Sequence, residues 1–123
     1  MSASNRGVTL LASAARTTAT TSSDQVNLGW KGVHVYINVS AIVASPGLTI
    51  TIQGKDELTG AYYTLLTGTQ IVTATSQVLK VYPGITAAAN ASASDVLPKY
   101  WRVSVAVADA DEATYSISCS MIG

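Results

Sequence analysis

Apolar and polar residues alternate along most of the chain that follows Val26. In the clearest run, residues 33–40, valine and isoleucine alternate with His34, Tyr36, Asn38 and Ser40. A period of two is typical of β-strands, and sustained apolar spacing of three and four, which would indicate helix, is missing. The pattern predicts strands at 33–40, 48–53, 62–66, 70–73, 77–82, 100–108 and 115–121.

Turn residues separate these runs. Ser-Pro-Gly at 45–47 predicts a tight turn that joins the runs 33–40 and 48–53 into a hairpin. The short acidic segment 109–112 predicts a second hairpin between the last two strands. Short strands without a fixed repeat indicate an all-β, single-domain protein, either an antiparallel β-sandwich or a partly open β-barrel. The order of the strands stays open at this point.

The N-terminal segment differs from the rest in composition. Every residue from 12 to 23 except Arg16 is alanine, serine or threonine, so the segment has little apolar surface to bury. We therefore expect residues 1–24 to be an extended N-terminal arm or a loosely held first strand, with a disordered tail as the alternative. Residues 25–123 are expected to form the β-sandwich domain.

Composition and charge exclude several classes of function. The chain has 123 residues, of which seven are basic and seven acidic, and only 11% are charged. This balance argues against binding nucleic acid through phosphate neutralisation. No apolar run approaches the roughly 18 residues of a membrane span. A single histidine and a single cysteine predict no metal site and no cofactor.

The residue types that carry catalysis are isolated in this sequence. His34 lies on the polar side of its strand without an identifiable acidic or serine partner, so we expect a surface or interface histidine. Cys119 alternates with Ile117 and Met121, which predicts a small core residue. The acidic residues at 109–112 are expected to form a solvated hairpin tip, with a calcium site as the less favoured alternative. We predict no catalytic residues and no enzyme activity.

Tyr100, Trp101 and Arg102 combine two aromatic rings with a guanidinium group, a mixture that is enriched at interface hot spots. Trp30 and the Tyr62–Tyr63 pair could join them in a platform for carbohydrate or protein. The competing interpretation is that Trp101 anchors the core while Arg102 points outward.

Five blocks of sequence carry a resemblance to a known family. From about Gly32 to Ile122, the chain resembles small structural proteins encoded in the virion gene blocks of tailed bacteriophages. The blocks are VHVYINV at 33–39, LTITIQGKD at 48–56, GAYYTLL at 60–66, VYPGI at 81–85 and LPKYWRV at 97–103.

The resemblance implies a non-enzymatic capsid decoration (cement) protein. Such a protein is made in the bacterial host cytoplasm, binds the major capsid protein on the outer surface of the head and stabilises the shell. Decoration proteins often act as trimers, so a homotrimer is expected on that analogy, with no nucleic-acid or membrane partner. The residues expected to contact the capsid lie in the arm and in the aromatic patch: Arg6, Leu10, Leu11, Arg16, Tyr100, Trp101 and Arg102.

Two other functions stay open. A neck- or tail-associated virion protein would suit the same neutral β-domain. A glycan-binding module displayed on the virion would use Trp30, Tyr62 and Trp101, provided that these rings are exposed and coplanar.

Overall fold

A computed structural model of the chain describes residues 6–123, and these residues form strands, turns and loops without any helix. Ten strands make two five-stranded sheets that pack face to face. The strands are β1 Arg6–Arg16, β2 Thr20–Thr21, β3 Gln25–Val26, β4 Gly32–Ile42, β5 Leu48–Lys55, β6 Tyr62–Thr67, β7 Thr75–Val81, β8 Ser92–Ala93, β9 Tyr100–Val107 and β10 Ala113–Ile122.

The first sheet has the order β1-β10-β4-β7-β8, and the second has the order β2-β9-β5-β6, with β3 also paired to β9. All pairings are antiparallel except the short one between β7 and β8. The two sheets do not close into a barrel. The predicted all-β sandwich is thus confirmed, and the barrel alternative is wrong.

Alternate residues of the central strands form the core between the sheets. Val33, Val35 and Ile37 of β4 are fully buried, and Trp101 and Val103 of β9 face them from the other sheet. Burying this much branched aliphatic and aromatic surface is the main favourable term in folding. The period of two in the sequence therefore identified the inward faces correctly.

Neither predicted hairpin forms. β4 and β5 belong to different sheets, as do β9 and β10, so both connections cross from one sheet to the other. The two crossings are hydrogen-bonded to each other, since the Pro46 carbonyl accepts from the backbone N–H groups of Ala108 at 2.9 Å and Asp109 at 3.1 Å. Alternation shows which face of a strand is buried, but it does not show which strand lies beside it. The predicted strand at 70–73 is reduced to a single bridge between Ile71 and Leu48.

The N-terminal segment is part of the sandwich. β1 pairs along β10 from Arg6 opposite Met121 to Arg16 opposite Ala113, with register shifts around Leu11. It is the edge strand of the first sheet, and β2 and β3 continue the chain along the edge of the second sheet. Residues 6–16 of the segment expected to be an arm thus form the first strand of the sandwich, because β1 pairs with β10 along its length.

Candidate interaction surface

The N-terminal residues expected to bind a partner are largely occupied by the fold. Leu10 is only 8% exposed and belongs to the core, and Leu11 packs against it. The Arg16 guanidinium lies 4.6 Å from the centre of the Tyr115 ring and donates to the Tyr115 carbonyl at 2.8 Å. Arg6 begins β1, and its side chain lies outside the described part of the structure.

The aromatic patch around Trp101 is divided between the two faces of β9. Trp101 is 1% exposed and anchors the core, whereas Tyr100 and Arg102 lie on the opposite, outer face. The geometry therefore favours the interpretation in which Trp101 anchors the core while Arg102 points outward. Since Trp101 is buried, it cannot share an exposed sugar platform with Trp30 and Tyr62.

A polar cluster that the sequence analysis did not predict lies on the outer face of the second sheet. We call it the Tyr62 cluster, and it consists of Asp24, Gln53, Lys55, Tyr62 and Arg102. The Asp24 carboxylate accepts a hydrogen bond from the Tyr62 hydroxyl at 2.6 Å. It also forms an ion pair with Lys55, whose Nζ lies 2.8 Å away. The Arg102 guanidinium lies 3.5 Å from the Tyr62 ring centre, and its Nε donates to Gln53 Oε1 at 2.8 Å.

The electrostatics of the cluster favour its charged forms. Hydrogen bonds from Lys55 and then Tyr62 hold the pKa of Asp24 below its usual value, and the nearby charges of Lys55 and Arg102 act in the same direction. The pKa of Lys55 is raised, mainly by its hydrogen bond to Asp24. Asp24 and Lys55 are therefore both charged at neutral pH and form an ion pair.

The cluster could not be found from sequence spacing. Asp24 lies between β2 and β3, Lys55 ends β5, Tyr62 begins β6 and Arg102 lies on β9. One interpretation of the sequence has Arg102 pointing outward, but its contact with Gln53 depends on the register of β5 with β9, which places the two residues opposite each other. That register is set by the packing of both sheets.

Four large apolar side chains are exposed at one end of the sandwich, and we call this surface the apolar end. Hydrogen bonds and an ion pair connect its loops: Asn27 Nδ2 donates to the Leu97 carbonyl at 2.9 Å, and Lys99 Nζ lies 3.6 Å from Glu57 Oε1. The apolar end comprises Val26 at 54% exposure, Leu28 at 82%, Leu58 at 95% and Val96 at 59%.

The loop that presents Leu28 is held by the side chain of Asn27. Asn27 Oδ1 accepts from the backbone N–H of Trp30 at 2.7 Å and of Gly29 at 3.3 Å, and Nδ2 donates to the Trp30 carbonyl at 2.7 Å. An asparagine that bonds its own loop in this way fixes the turn. Leu28 is thus exposed on an ordered loop.

The turn that presents Leu58 is fixed in the same manner by Asp56. Its Oδ2 accepts from the Thr59 hydroxyl at 2.6 Å and from the Thr59 N–H at 3.2 Å, and these bonds lower the pKa of the carboxyl. Gly60 adopts φ of 76°, a left-handed conformation that closes the turn back onto β6. Two separate hydrogen-bonded turns therefore each project one leucine into solvent.

His34 lies on the outer face of the first sheet, whereas Cys119 is buried in the core. Partial burial, and then the charge of Lys80, lower the pKa of His34, whose ring centre lies 5.8 Å from that of Tyr82. Burial raises the pKa of Cys119 to about 11, so its thiol is protonated at neutral pH. Asp111 accepts a hydrogen bond from the Ser45 N–H at 3.2 Å, and no group of three or more potential metal ligands occurs in residues 6–123.

The same described range contains no helix with the length and hydropathy needed to cross a membrane. No model of a known protein family matches the sequence, and no curated protein matches it as a relative.

Proposed function

We propose that this chain is a non-enzymatic structural protein of a tailed-phage virion, a capsid decoration protein that binds the outer surface of the head through its apolar end. The observation that carries the proposal is the exposure of Leu28 and Leu58 on two fixed turns. Large apolar side chains held in water at one end of a domain are typical of a protein-binding surface. Binding through ordered loops also loses less conformational entropy than binding through mobile ones.

The remaining surface supports a role in a repeated assembly. Seven basic and seven acidic side chains give no net charge, so copies arranged side by side on a shell repel one another little. The Tyr62 cluster next to the apolar end offers an arginine and an aromatic ring, which are both common in protein interfaces. The major capsid protein is the proposed partner, and the head surface is the proposed location.

The direct test combines Leu28→Asp with Leu58→Asp and measures binding to purified phage heads that lack the protein. Placing two carboxylates in a desolvated interface should weaken binding by roughly tenfold or more. The control is Val43→Asp, because Val43 is 59% exposed but lies at the opposite end, after β4. Circular dichroism and thermal melting should show that all three chains are folded.

Cryo-electron microscopy of the intact particle then tests the location. Density for this chain repeated over the outer head supports a decoration protein. Density in a single ring at the neck or along the tail would move the proposed function to a neck- or tail-associated protein. Absence from the particle, or unchanged binding of the Leu28/Leu58 double variant, would contradict the proposal.

A further inference from the structure

Arg102 is the cation of the Tyr62 cluster that has no counter-ion among the described residues. Both oxygens of Asp24 are occupied, because Oδ1 accepts from the Tyr62 hydroxyl at 2.6 Å and Oδ2 lies 2.8 Å from Lys55 Nζ. Arg102 itself donates through Nε to Gln53 Oε1 at 2.8 Å, and its two terminal nitrogens have no acceptor in the described part of the chain. The cluster therefore carries one uncompensated positive charge.

The guanidinium of Arg102 is held in place on the outer face of the second sheet, where it is partly exposed. Its central carbon lies 3.5 Å from the centre of the Tyr62 ring, and that ring is fixed in turn by the hydrogen bond of its hydroxyl. Gln53 lies opposite Arg102 in the pairing of β5 with β9 and accepts from Nε. An arginine that is already ordered loses less conformational entropy on binding than a mobile one.

This guanidinium lies beside the apolar end. Lys55 ends β5 and Tyr62 begins β6, so the turn that presents Leu58 connects two members of the Tyr62 cluster. Asp24 precedes the loop that presents Leu28. A partner that covers both leucines therefore also borders the cluster, and an apolar centre with a polar rim is the usual layout of a protein interface.

We propose that the two terminal nitrogens of Arg102 bind a carboxylate of the partner protein, an inference that rests on the proposed function and names the chemistry of a contact beside the apolar end. The fork of a guanidinium matches the two oxygens of a carboxylate through parallel N–H···O bonds. The single uncompensated charge of the cluster is balanced by a carboxylate, whereas the larger negative charge of a phosphate would exceed it.

Arg102→Gln tests the contact through binding to purified phage heads that lack the protein. The substitution removes the charge and the terminal donors, so binding should weaken about tenfold. The matched control is Lys80→Gln, which removes the same charge from β7 in the other sheet and should leave binding unchanged. Arg102→Lys keeps the charge but not the fork, so it should recover only part of the affinity. Thermal melting should show that the three variants are folded.

Salt distinguishes an ionic contact from a structural effect of the substitution. The affinity ratio between the unaltered chain and Arg102→Gln should fall from about tenfold at roughly 50 mM NaCl to about twofold at roughly 500 mM, because ions screen a partly exposed ion pair. A substitution that only distorted the sheet would give the same ratio at both concentrations. A ratio that does not change with salt would overturn the proposal.

Amidation of the heads identifies the anion without relying on any variant. Heads treated with a carbodiimide and glycinamide present neutral amides in place of exposed carboxylates. The unaltered chain should bind these heads about tenfold more weakly, and no better than Arg102→Gln does. If the unaltered chain kept its advantage on amidated heads, Arg102 would bind another anion, such as a phosphate, and the carboxylate would be wrong.

Failure of this inference can be distinguished from failure of the proposed function. If Arg102→Gln binds heads normally while the Leu28/Leu58 double variant does not, the carboxylate contact alone is overturned. If Arg102→Gln binds weakly and the double variant binds normally, the apolar end is overturned and the carboxylate contact is supported. If the unaltered chain does not bind heads, both are overturned.

Discussion

The Asp24 carboxylate is held by two side chains from separate strands: it contacts Lys55 and Tyr62, and Arg102 lies nearby. These residues come from four separate segments of the chain, and one carboxylate joins the edge of the second sheet to its far strands. A partly exposed ion pair alone contributes little to stability, but a carboxylate that also accepts a hydrogen bond from a tyrosine contributes more.

Asp24→Asn should lower the melting temperature at pH 7, and this difference should shrink in acid. The folded state lowers the pKa of Asp24, so its stabilising contribution is complete well above the usual value of 3.8 and is lost as the pH falls through the folded pKa. Thermal melts of both chains between pH 2.5 and pH 7 measure the difference. Asp109→Asn, in the exposed β9–β10 turn, is the control and should change little. A constant difference across the pH range would show that the asparagine acts by sterics and not by charge.

At the scale of strands, the sequence predicted more than it did for individual contacts. The alternation in 33–40 and 100–108 located β4, β9 and their buried faces, because a residue's neighbours two positions away share its face. The alternation did not identify which strands lie side by side, because β4 and β5 are consecutive in the chain but belong to different sheets. The alternation did not identify β1 as a structural strand, because Ala, Ser and Thr give a weak apolar signal. As an edge strand, β1 contributes one well-buried side chain to the core, Leu10.

Leu10→Ala should reduce the free energy of unfolding by about 2–4 kcal/mol, the cost of removing a buried leucine side chain. Thr9→Ala on the exposed side of β1 should change it by no more than about 0.5 kcal/mol. Urea denaturation followed by tryptophan fluorescence measures both values. If Leu10→Ala were as mild as Thr9→Ala, β1 would be a loosely attached arm and not a structural strand.

The whole molecule combines a neutral surface with an apolar end and an edge strand, β1, whose outer side is unpaired within the described sheets. A long edge strand with few charges readily adds a strand from another chain. The absence of net charge could be predicted from the composition, whereas the position of the exposed leucines at one end could not. Leu28 and Leu58 are thirty positions apart, and only the folded loops bring them to the same end.

Native mass spectrometry at micromolar concentration should show a homotrimer with three times the 12.7 kDa mass of the chain. We propose the trimer by analogy with decoration proteins, which often act as trimers, and the edge strand and apolar end provide surface for such contacts. Because only 11% of the residues are charged, the trimer should persist when the salt concentration is raised. A single species at the monomer mass over the same concentration range would contradict it.

The position of β10 has a consequence for how the protein is made. β10 lies between β1 and β4, so the strand synthesised last of the ten joins the first strand to the rest of its sheet. While the ribosome is still translating the segment before Ala113, β1 has no partner and Leu10 has no complete core to enter. Closure of this sheet must therefore follow synthesis of β10, and such distant pairing is slow to form. During that interval the nascent chain exposes an unpaired strand, and we expect chaperone contact to be concentrated there.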